Sequence, residues 1–114
     1  MDFSKLSDKE ILDIANPLMD NLMDGSTERD YEKHSKDFTK RLKNIVTKEN
    51  LEKQLKENEL GEFTKRELIS IIRKKNSIFV LWKQCMSKST DEFLAEIVII
   101  EKDGRYLVDH NWIR

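Results

Sequence analysis

Seven side chains in this 114-residue chain combine a reactive type with a suggestive position: His110, Asp109, Glu96, His34, Asp30, Tyr31 and Cys85. His110 beside Asp109 is the most suggestive pair, because a histidine of near-neutral pKa can move protons at physiological pH. Neighbours on a strand point to opposite faces, however, so the two do not form a dyad with each other. A satisfied histidine near the end of a sheet is the favoured account of His110. His34 lies on an apolar helical stripe, four residues before Phe38. A half-buried core imidazole with its nitrogen bonded is the favoured account there. Glu96 stands among apolar strand residues. Buried, its carboxyl would rise in pKa and could act as a base; at an interface it would be a rim charge, the favoured account. Asp30 and Tyr31 offer an acid and a hydroxyl donor, or more simply dipole compensation and an aromatic anchor at a helix start. Cys85 has no histidine, lysine or helix N-terminus in view to activate it and reads as inert. Two histidines do not make a zinc site, which needs three or four ligands at recognisable spacing, so no metal is expected. With three glycines in all there is no phosphate cradle, and no cofactor is expected.

The elements that must position these groups change period near Gly61. Before it, apolar residues recur at helical spacing. Ser7 and Glu10 form a capping box ahead of a stripe of Ile11, Ile14, Ala15, Leu18, Met19 and Leu22. Pro17 should kink or split that helix, and Gly25 should end it. A second helix is expected from a Ser26 or Thr27 cap, with Glu28, Asp30 and Glu32 in its first turns and a stripe of Tyr31, His34, Phe38, Leu42 and Ile45. Thr47 caps a short third helix anchored by Leu51 and Leu55. After Gly61 the reading is strands at 62–74, 77–87, 92–101 and 105–113, with a helix over 64–74 as the alternative for the first, and turns at Lys75-Asn76, at 88–91 and at 102–104. The last turn has Asp103-Gly104 at its centre, a strong hairpin signal. Strands joined by short turns pair antiparallel. The expected fold is α+β: three N-terminal helices packed on a curved antiparallel sheet of about four strands, in one domain spanning 1–114.

Alternation sorts the sheet into two faces. Ile78, Val80, Trp82, Gln84 and Met86 share one face of the second strand; Phe79, Leu81, Lys83 and Cys85 share the other. In the third strand Phe93, Ala95, Ile97 and Ile99 oppose Leu94, Glu96, Val98 and Ile100. Both faces are largely apolar, and the helices can cover only one. The simplest cover for the second is another copy of the chain, so a homodimer through the sheet is expected; the alternative is that the third helix wraps round to cover part of it.

Composition bounds the rest. The formal charge is −1, with 38% charged and 38% hydrophobic residues, which suits a globular fold. The charge is uneven: residues 1–32 carry nine acids and three bases, residues 33–75 thirteen bases and seven acids. Lys65, Arg66, Arg73, Lys74 and Lys75 could meet nucleic acid. A solvated face of lysines alternating with glutamates is the favoured account, so nucleic acid is not expected as a partner. One cysteine fits a reducing compartment. The first residues lack the basic stretch and apolar run of a signal peptide, and no run of 18 apolar residues could span a membrane. A cytoplasmic location is expected.

Helices first, then long antiparallel strands ending in an aromatic-rich strand, is a pattern that resembles the nuclear transport factor 2-like superfamily, also called cystatin-like or SnoaL-like. The residues that carry the resemblance are 25–31 (GSTERDY), the stripe of Phe38 and Leu42, and the strand segments 80–83 (VLWK), 92–96 (EFLAE) and 103–108 (DGRYLV). The resemblance implies a cone in which the sheet curls round the helices and leaves a pocket at the open end. It implies Tyr31, His34, Phe38, Trp82, His110 and Trp112 as candidates to line that pocket, with Asp30 and Tyr31 near its mouth. Trp82 and Trp112 could equally fill the core. Known members include isomerases, dehydratases, polyketide cyclases, ligand carriers and dimerisation modules, so the fold places a site without naming its function. Members resembling ketosteroid isomerase set an acidic base and tyrosine-type donors inside the cone; no segment here aligns with that motif residue by residue. Two functions follow. The favoured one is a non-catalytic dimeric domain that binds a small apolar ligand or a protein partner. The alternative is a small isomerase or lyase using Asp30, His34, Glu96, Asp109 or His110 inside an enclosed cavity.

Overall fold

The computed structural model describes residues 2–57 and 60–114, with backbone only at 55–57. A 3-10 turn at Phe3–Lys5 precedes helix α1, Asp8–Thr27. The capping box forms as expected: Ser7 Oγ accepts from the Glu10 N–H at 3.2 Å, and Glu10 Oε1 accepts from the Ser7 N–H at 3.1 Å. Pro17 neither splits nor ends the helix. It lies on the exposed side, where water can take the carbonyl that the missing N–H leaves unbonded. Gly25 does not end the helix either. It is buried two residues before the end, and a Cβ there would stand 2.4 Å from the backbone nitrogen of His34. The glycine is required by a close approach of two backbone segments and not by a cap.

The expected second helix is two helices with an extended step between them. Helix α2, Tyr31–His34, is capped by Asp30; helix α3, Lys40–Ile45, is capped by Thr39. Between them Phe38 bridges Val108 in the parallel sense. The Val108 N–H donates to Asp37 O at 2.7 Å, and the Thr39 N–H donates to Val108 O at 2.9 Å. The step thus satisfies backbone groups on the edge of the last strand that a continuous helix would leave bare. Helix α4, Lys48–Glu57, follows with Thr47 Oγ1 accepting from the Asn50 N–H. The expectation for the Leu55 side chain falls outside the described residues.

The four strands are β1 (Phe63–Arg73), β2 (Ser77–Met86), β3 (Glu92–Lys102) and β4 (Arg105–Ile113), an antiparallel meander in the order β1-β2-β3-β4. Strand bounds match the alternation to within two residues. Bulges between Phe63 and Arg66, between Leu68 and Ser70, and opposite Val98–Ile99 on β4 bend the sheet. Its concave face meets α1. Ile78, Val80, Trp82, Ala95, Ile97, Ile99 and Val108 pack on Ile11, Ala15, Met19, Leu22 and Met23. Full burial of one such side chain contributes roughly 1.5–3 kcal/mol. The narrow end of the cone is closed by Phe3, whose ring lies 6.2 Å from that of Tyr106 and whose N–H donates to Lys75 O. That plug precedes the capping box and has no periodic signal of its own in the sequence.

Candidate ligand site at the mouth of the cone

The wide end is open. Its cavity, about 320 Å³, lies between the C-terminal end of α1, helix α4, the start of β1 and the last residues of β2 and β4. The apolar wall is Val46, Leu51, Leu60, Phe63, Met86 and Ile113; the polar groups are Ser26, Thr27, His34, Gln54 and Asn111, with Trp112 at the rim. No Asp, Glu, Lys or Arg lines it among the described residues. The size falls near the low end of the ~300–1,000 Å³ typical of small-molecule sites, and an apolar wall with a few placed polar groups is their usual chemistry.

Among the described residues His34 is the one ionisable group in that wall. Its Nδ1 lies 2.8 Å from Leu22 O. A carbonyl only accepts, so Nδ1 carries the proton and Nε2 the lone pair. Burial pushes the His34 pKa below its usual 6.5, and the bond to Leu22 O opposes that in part. The ring meets Phe38 edge-on at 5.2 Å. Asn111 sits on the concave face of β4, opposite Ile97. Its Nδ2 donates to Glu96 O at 3.2 Å and lies 3.8 Å from Met19 Sδ, which leaves Oδ1 as its acceptor.

A second cavity, about 630 Å³, opens between α1 and β1, and Phe63 lines both. Here the Arg66 guanidinium lies 4.9 Å over Trp82 and donates to Asn16 and Asp20. Gln84 Oε1, in the wall, is the one deeply buried side-chain polar atom without a partner among the described residues.

The remaining sequence candidates are distributed elsewhere. Tyr31 lines a shallow groove beside α4 and donates its hydroxyl to Val46 O at 2.7 Å. Asp30 caps α2, accepting from the Lys33 N–H. Phe38 is core, 4% exposed. Asp109, at the β4 bulge, accepts from Thr39 Oγ1 and Arg41 Nε and ties α3 to the sheet. His110 and Glu96 lie on the convex face of the sheet, where Val98 opposes His110 and Glu96 opposes Trp112. Glu96 is only 7% exposed; its Oε2 is 3.1 Å from His110 Nε2 and its Oε1 accepts from Arg114 at 2.7 Å. Arg114 in turn lies 4.2 Å over the Trp112 ring. Sequence reasoning had paired neither Arg114 with Glu96 nor Asn111 with the mouth. Register across β3 and β4 is the signal that relates them. Of the basic residues weighed for nucleic acid, Lys65 is paired with Glu67, Arg66 with Asp20 and Arg73 with Asp8. No cluster of three or more potential metal ligands occurs among the described residues.

A helical layer wrapped by a curled four-strand meander, open at one end, defines an α+β cone. Three solved structures share it. An NTF-2 like protein of unknown function from Shewanella oneidensis aligns over 90% of this chain and 98% of its own, at TM-score 0.57 and 13% identity. A SEC-C motif containing protein from Rhodopseudomonas palustris aligns over 89% of each chain, at 0.58 and 10%. A DUF4783 family protein from Bacteroides uniformis aligns over 82% and 93%, at 0.53 and 10%. The fold is therefore the nuclear transport factor 2-like one. No protein-family profile and no curated protein matches the sequence. No described helix is long and apolar enough to cross a membrane.

Proposed function

We propose that this is a non-catalytic, dimeric nuclear transport factor 2-like domain that holds a small, mainly apolar molecule at the mouth of its cone. One observation carries the reading: the mouth has six apolar wall residues and no charged side chain among those described. Such a wall favours apolar surface and offers a substrate no acid–base pair. Four of the five ionisable groups weighed for catalysis, Asp30, Glu96, Asp109 and His110, lie outside it.

The convex sheet face supports pairing with a second copy. Ile72, Leu94 and Trp112 are exposed on it at 38–52%, around half-buried Phe79, Leu81, Val98, Ile100 and Leu107. Four strands of about ten residues give a face of roughly 600 Å², near the ~800 Å² per partner of a standard interface. Its main charges are already matched within the chain: Lys83 with Glu92 and Glu67, Arg114 with Glu96. The bonds to Glu92 and Glu67 hold the Lys83 pKa well above its ordinary value. A face neutralised in this way does not repel its own copy. In sedimentation equilibrium the chain should have twice the 13.6 kDa of one copy. In calorimetry it should bind eight-carbon apolar probes at one site per chain. A monomer at all concentrations would remove the dimer, and no binding of any such probe would remove the ligand site.

A further inference from the structure

We infer that the ligand taken at the mouth is a neutral hydrogen-bond donor, an alcohol or phenol on an apolar body, and not a carboxylate; this rests on the mouth being a ligand site. Two polar groups in the wall have their proton-bearing atoms committed elsewhere. His34 spends Nδ1–H on Leu22 O, 2.8 Å away. Nε2 has no partner among the described residues and is not a sealed polar atom, since only Gln84 Oε1 is both deeply buried and unbonded. His34 lines the cavity, and Nε2 is the acceptor it can offer there. Asn111, also in the lining, spends Nδ2 on Glu96 O, 3.2 Å away, and keeps Oδ1 as a second acceptor. Ser26, Thr27 and Gln54 can donate or accept as a ligand requires, so the two fixed acceptors are what select a group that donates.

The same wall works against an anion. No Lys or Arg lines it among the described residues, so a carboxylate would lose water with no described cation to replace it. A donor-free ligand would cover both acceptors and leave them unbonded. The mouth, about 320 Å³, accommodates about ten water-sized groups, which fits an eight-carbon alcohol.

The test uses the full chain and three probes of one length: 1-octanol, 1-methoxyoctane and octanoate. Calorimetry at neutral pH should show 1-octanol binding at least tenfold more tightly than either of the others. His34→Phe, which leaves only Asn111 Oδ1 as a fixed acceptor, should narrow the gap between 1-octanol and the ether by at least about threefold. Because that variant removes the side-chain bond to Leu22 O and could fold poorly, the wild-type chain is also read directly. With ¹⁵N-labelled imidazole, His34 should show a protonated Nδ1 and a bare Nε2, and 1-octanol should shift the Nε2 signal where the ether does not. Equal or tighter binding of octanoate or the ether, or an Nε2 signal unmoved by 1-octanol, overturns the donor assignment and leaves the ligand site standing. Binding of none of the three overturns both.

Discussion

The two faces of the sheet have nearly the same composition and opposite fates. On the concave face Ile78, Val80, Ala95, Ile97 and Ile99 are wholly shielded, because α1 runs across them. On the convex face the cross-strand rows are Ile72–Phe79–Val98–His110 and Ser70–Leu81–Glu96–Trp112, and of these Ile72 and Trp112 stay about half exposed. Strand chemistry made both faces; the helices chose between them. The polar groups differ accordingly. On the convex face Glu96, His110 and Arg114 satisfy one another, whereas at the mouth His34 and Asn111 keep acceptors in reserve. A surface whose charges are closed on themselves suits a second copy, and a cavity with open acceptors suits a ligand.

The contrast can be broken most strongly in the core. Ile97→Ala should lower unfolding stability by about 2–5 kcal/mol, through lost transfer energy and a cavity, read as a shift of the denaturant midpoint at unchanged slope. Its convex counterpart should act on association. Leu81→Glu would set a charge beside Glu96 in the centre of the proposed interface and should weaken the dimer at least roughly hundredfold, read by sedimentation, while far-ultraviolet circular dichroism stays unchanged. The smallest effect concerns His34. Its folded pKa lies below 6.5 because the ring is buried, so the unfolded chain binds a proton that the folded chain refuses. Stability should be full above pH 6.5 and fall as the pH drops from there toward the folded value. His34→Gln should remove that part of the slope. A His34 contribution that grew on acidification would contradict the buried neutral ring.

Much of this was legible in the sequence. Period-two alternation and the turns at Lys75-Asn76 and Asp103-Gly104 placed four strands and sorted both faces, since register follows from a pattern of period two. The capping box of Ser7 and Glu10 was local and therefore readable. The broken second helix was not. Tyr31, His34, Phe38, Leu42 and Ile45 keep helical spacing across the break, and only the backbone of Val108, seventy residues downstream of Phe38, pulls that stretch out. Gly25 looked like a cap because its need for a bare Cα lies in the approach of His34, which no local pattern records. The mouth was legible as a place and hidden as chemistry. The protonated nitrogen of His34 is fixed by Leu22 O, and the amide of Asn111 by Glu96 O, both contacts of the folded chain.

The most direct test of the account is a backbone and methyl chemical-shift map of the full chain titrated with 1-octanol. Saturable shifts at Leu51, Phe63, Met86 and Ile113, with Phe79, Leu81 and Ile100 unmoved, are the predicted result. Shifts centred on the convex residues, or none at the mouth, would contradict the division of the sheet into a ligand-facing and a self-pairing side.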